Sequence, residues 1–78
     1  MKYCGTQILP YLSAFSKLGI ITADERKELA RLTQIAMMPG NEHFYGSLRR
    51  KLLEIEKRQD SDRESSLLYE AISLLPTN

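Results

Sequence analysis

Leu18-Gly19-Ile20-Ile21-Thr22-Ala23-Asp24-Glu25, LGIITADE in one-letter form, decides how the chain folds. Glycine accepts the left-handed backbone conformation that closes a helix, so Gly19 is a C-terminal stop with Ile20 folding back onto the last turn. Thr22 and Glu25 have the T-x-x-E spacing of a capping box. The threonine hydroxyl satisfies an orphan amide of the next helix while the glutamate carboxylate returns to the Thr22 amide. A helix that stops and another that starts within six residues predict a tight αα-corner around which the other elements pack.

The residues before the corner support the first helix over about 7–18. Ile8, Tyr11, Leu12, Phe15 and Leu18 recur at three-and-four spacing, forming one buried stripe. Pro10 lacks an amide proton, so a kink, or a start near Leu9, is expected. Residues 1–6 read as a loose leader. The second helix should run from Ala23 to about Met37. Leu29, Leu32 and Ala36 face inward and Ile35 lies to one side, with Asp24 and Glu25 favourably placed at the positive end of the helix dipole. The pairs Asp24–Lys27 and Glu28–Arg31 are spaced for contacts along the wet side. Met37-Met38 reads as an adaptable apolar hinge before Pro39-Gly40 ends the helix.

In the second half, Asn41 reads as the N-cap of a third helix over about 42–58, with Phe44, Tyr45, Leu48, Leu52 and Ile55 inward. Ser61 and Glu64 repeat the S/T-x-x-E pattern and open a fourth helix over about 62–75, stopped by Pro76 and followed by a short tail, 76–78. No residue in 57–63 is a strong breaker, so one continuous helix from 42 to 75 is the competing reading. Leu67, Leu68, Ala71, Ile72, Leu74 and Leu75 cover a wide arc, as expected of a helix facing two neighbours. The expectation is therefore all-α: a small, single-domain four-helix bundle with short turns.

The chain has 78 residues, 42% of them hydrophobic, and one cysteine. A core of that size is small, and no disulfide or metal cluster reinforces it. Association with a partner or a second copy is therefore a reasonable source of additional stability. The net charge of +1 lacks the basic excess of nucleic-acid binders. No apolar run is long enough for a membrane span, the N-terminus lacks a signal-peptide pattern, and a reducing intracellular compartment, most simply the cytoplasm, is the default.

The chemistry-bearing residues are few. His43 lies at a helix start without a nucleophile or orienting group in its sequence pattern, and a surface role fits it better than a general base. Cys4 reads as an inert cysteine, although a neighbouring Lys2 is the kind of group that activates a thiol. Leu67-Leu68-Tyr69-Glu70-Ala71-Ile72 fits a loose tyrosine signal, yet Leu68, Ile72 and Leu75 are at helical spacing and read as core. With no nucleophile–base pair, phosphate loop or metal motif, neither enzyme activity nor a cofactor is expected.

The remaining signal is a surplus of apolar positions. With Leu48, Leu52 and Ile55 turned inward, Leu53 points outward between Arg50 and Lys57, resembling the anchor of a helix-face interface. Leu67 and Leu74 likewise exceed a single stripe. A wide core is the plain alternative. These five residues, Arg50, Leu53, Lys57, Leu67 and Leu74, are the candidate partner-binding set. They support a protein–protein interaction or assembly domain, a scaffold or adaptor, with homodimerisation through the fourth helix as one form. The alternative is nucleic-acid or anionic-surface binding by Arg49, Arg50, Lys51, Lys57 and Arg58, although consecutive helical residues fan around the axis rather than forming one stripe.

Overall fold

In the computed structural model, which describes residues 4–75, four α-helices follow one another: α1 (Cys4–Lys17), α2 (Ala23–Ala36), α3 (Phe44–Lys57) and α4 (Asp62–Ser73). Each packs against its successor and α4 returns to α1, so the helices close into a ring with no diagonal contact. This is the neighbour pattern of a bundle. The expected tail 76–78, the Pro76 stop and Lys2 lie outside the described residues.

The α1–α2 corner forms as its sequence dictates. Gly19 has φ +78°. Its amide donates to the Ser16 carbonyl at 3.1 Å, and the Ile20 amide donates to the Phe15 carbonyl at 2.8 Å. Those two bonds constitute a Schellman motif, which satisfies carbonyls that the helix end would otherwise leave unpaired. Ile20 and Ile21 are buried immediately afterwards. The Glu25 amide donates to the Thr22 hydroxyl at 3.1 Å and the Thr22 amide to Glu25 Oε1 at 2.9 Å, completing the capping box.

The other joints use different devices. The Asn41 amide donates to the Met38 carbonyl at 3.0 Å around Pro39-Gly40, and Gly40 has φ +84°. Proline second and a left-handed glycine third are the signature of a type II turn. Asn41 does not cap α3 with its side chain as expected. Its carbonyl accepts from the Phe44 amide in a run of i to i+3 bonds through Gly46, so α3 is delayed until Phe44. The α3–α4 link is a true break, and the continuous-helix reading does not hold. The Gln59 side-chain amide donates to the Ile55 carbonyl at 2.9 Å, closing α3. Ser61 then accepts from the Glu64 amide at 3.4 Å and opens α4.

Two expectations for α1 need correction. The helix begins at Cys4 and continues through Pro10, so residues 4–6 belong to it rather than to a loose leader. Pro10 sits at an exposed position within it. Leu18 is not core but 57% exposed; as the residue before the Gly19 stop it lies past the last helical turn, and the stripe ends at Phe15.

A single core joins all four helices. Ile8, Leu12 and Phe15 of α1 meet Leu29 and Ala36 of α2, Leu48 and Leu52 of α3, and Leu68, Ala71 and Ile72 of α4. Among the described residues Thr33 is the buried polar one, at 0% exposure. Its hydroxyl donates to the Leu29 carbonyl at 2.7 Å, which removes the penalty for an unpaired hydroxyl inside the core.

Candidate interaction surface

Two surface hollows and a set of exposed apolar side chains are the features with functional potential. The first hollow, about 160 Å³, lies between α2 and α3 over Leu29 and Ile55. Its charged walls are already joined. Lys51 Nζ lies 3.6 Å from Glu28 Oε2, and Arg58 Nη2 lies 3.1 Å from Glu25 Oε2. Glu28 thus reaches across to α3 rather than along α2 to Arg31. These partly exposed ion pairs bridge the two helices across the groove, over the core that joins them.

The second hollow is larger, about 590 Å³, and lies where the end of α1 meets the first turns of α4. Leu18 and Leu67 supply its apolar surface, and Arg63, Glu64 and Glu70 its charged rim. Glu70 also ties the two helices together, since the Tyr11 hydroxyl donates to its Oε1 at 3.0 Å. The carboxylate beside it holds the Tyr11 hydroxyl above its ordinary pKa, chiefly through that bond. The sequence placed Leu18 in the core and so missed it as a surface residue. Its adjacency to Gly19 was the available signal, because the residue before a Schellman stop lies past the last regular turn of the helix.

The five candidate residues divide between α3 and α4 and differ in exposure. Arg50 and Lys57 are exposed, two turns apart on the same side of α3. Leu53 between them is half-buried and packed against the core, so the expectation of an outward anchor is corrected. With α2 on one side and α4 on the other, α3 buries a wider arc than a single stripe, and Leu53 lies at its edge. Leu67 and Leu74 are also half-buried at the core edge. Of the five, Leu67 opens onto a hollow.

The alternative basic set is also divided. Lys51 and Arg58 are committed to the ion pairs with α2, leaving Arg49, Arg50 and Lys57. Elsewhere, Met38 is 55% exposed beside Met37 at the end of α2. His43 precedes α3 without a side-chain capping bond, its ring 4.4 Å from that of Phe44. Tyr69 is half exposed, and the Glu56 carboxylate of α3 raises its pKa. Leu68, Ile72 and Leu75 around Tyr69 are buried, so the tyrosine pattern is helical core. Among the described residues, no group of three or more His, Cys, Asp and Glu side chains is placed to hold a metal ion, and no helix is long and apolar enough to cross a membrane.

Compared with protein-family models, curated proteins and solved structures, the chain matches none of them.

Proposed function

We propose that this chain is a protein–protein interaction or assembly domain, a scaffold or adaptor that binds through the beginning of α4 and the adjoining α1–α2 corner. The observation that carries this reading is the exposure of Leu18 next to Leu67 in one open, charge-rimmed hollow. Isolated exposed leucines are common on protein surfaces. Two apolar side chains from different helices, sharing a concavity with a polar rim, have the anatomy of an interface centre and its surround.

Binding energy concentrates in such desolvated apolar centres. The near-neutral charge fits a protein partner better than a phosphate backbone, whose recognition draws on several uncompensated cations. The engagement of Lys51 and Arg58 with α2 weighs in the same direction.

Leu18→Lys tests the proposal, because a cation is favourable at a helix C-terminus and the fold should be retained. Native mass spectrometry of tagged chain purified from cells is expected to recover the wild type in a defined complex and the variant alone. Recovery of the wild type alone, at every expression level, overturns the reading.

A further inference from the structure

Resting on the interaction reading above, we infer that the occupant of the Leu18–Leu67 hollow is a second copy of this chain, its α4 lying antiparallel against the first. The register of α4 carries the inference. Arg63, Ser66, Leu67 and Glu70 all line the hollow, and their i, i+3, i+4, i+7 spacing places them along one side of the helix.

A two-fold interface opposes a patch to itself, so the patch must be self-complementary. Antiparallel α4 helices related by an axis at the Ser66–Leu67 midpoint place Arg63 of each copy opposite Glu70 of the other. The same register sets Leu67 of each copy against Ser66 of the other, so the two leucines flank the axis at the centre. Ser66 beside it is small enough for close helix approach, and Leu18 extends the apolar area from the flank. A rim of one charge sign would repel its own copy; this rim carries both.

Arg63 is available for this role. Among the described residues the ion pairs are Lys51–Glu28 and Arg58–Glu25, and Arg63 is exposed with no carboxylate partner there. Glu70 accepts from Tyr11 through Oε1, and its other oxygen can receive a guanidinium.

Charge reversal in the purified full chain tests the arrangement by sedimentation equilibrium. Wild type should dimerise. Arg63→Glu and Glu70→Lys should each weaken dimerisation by about tenfold or more, since each opposes like charges twice. An equimolar mixture of the two variants should restore a heterodimer, because both cross-pairs then regain opposite signs. Tyr11→Phe, which removes the internal bond to Glu70, should leave the dimer intact and so separates loss of fold from loss of contact. A wild type that stays monomeric at every concentration overturns the inference while leaving the interaction reading to its own test with other proteins. A dimer indifferent to both reversals, or one that mixing fails to restore, overturns it equally.

Discussion

Glu25 and Arg58 meet at 3.1 Å, and their contact fastens the α1–α2 corner to the end of α3. Glu25 uses one carboxylate oxygen to complete the capping box with Thr22 and the other to receive the Arg58 guanidinium. Leu18 and Ser61 line one hollow at the same end of the bundle. The corner and the α3–α4 link therefore face one another across that hollow, and the Glu25–Arg58 pair lets a local stop-and-start signal bear on where α3 ends. The opening of α4, which carries the proposed interface, is held beside the most firmly capped joint of the chain.

Glu25→Ala should destabilise the fold by about 1 kcal/mol, combining half of a capping box with a partly exposed ion pair. Arg58→Ala loses the ion pair alone and should cost no more than about 0.5 kcal/mol. Urea denaturation of both single variants and the double variant checks this, with a coupling energy of a few tenths of a kcal/mol expected.

Stability should also depend on pH through Glu25 and Tyr11. The Thr22 amide is the main cause holding the Glu25 carboxyl below its ordinary 4.5; burial opposes it and Arg58 adds to it. Its stabilising contribution is present above the ordinary value and lost as pH falls through the lowered one. Tyr11 has the opposite sign. Its hydroxyl titrates above the ordinary 10.0, so its contribution is present below that value and lost as pH rises through the raised one. Thermal melts should show Glu25→Gln flattening the acid limb and Tyr11→Phe the alkaline limb.

Gly19 and Gly40 need no empty space for their missing side chains, since an added Cβ at either meets nothing within 4 Å. Their requirement is conformational. Gly19→Ala and Gly40→Ala should each cost about 1 kcal/mol from the left-handed backbone alone, measurable by chemical denaturation.

Thr33→Val should change stability by less than about 0.5 kcal/mol. The replacement keeps the volume, removes the hydroxyl and leaves the helix carbonyl its backbone partner. Thr33→Ala vacates the buried site and should cost about 1–2 kcal/mol.

Leu53→Asp and Leu18→Lys should separate core from surface. The first places a charge at the core edge and should destabilise by about 2 kcal/mol. The second should leave stability within about 0.5 kcal/mol of wild type. Calorimetry of the two variants distinguishes these outcomes.

The joints were legible in the sequence where a glycine or a hydroxyl–carboxylate pair acts through bonds to its own neighbours in the chain. Gly19 and Thr22–Glu25 are of that kind, and Ser61 is in part, its hydroxyl accepting from the Glu64 amide without a returning carboxylate bond. The inward residues of α3 were equally legible from their spacing. What depends on two helices at once was not. Glu28 satisfies the spacing to Arg31, but only the packing of α2 on α3 brings it to Lys51. Leu53 looks surplus on a one-stripe helix and ceases to be when neighbours cover two sides. Thr33 is polar by type and became core because its own helix supplies the acceptor. The Gln59 side chain, which closes α3 through the Ile55 carbonyl, has no recognised capping pattern in the sequence. The hollow combines residues more than forty positions apart, so of its members only Leu67 stood out beforehand as a candidate contact residue.

The most direct test is a two-dimensional NMR dilution series of the purified chain. Raising the concentration should shift the amide and methyl signals of Leu18, Arg63, Ser66, Leu67 and Glu70 together, along a single dimerisation isotherm. Shifts concentrated instead at Met37–Met38 or along Arg50, Leu53 and Lys57, or no shifts at any concentration, would contradict self-association through α4.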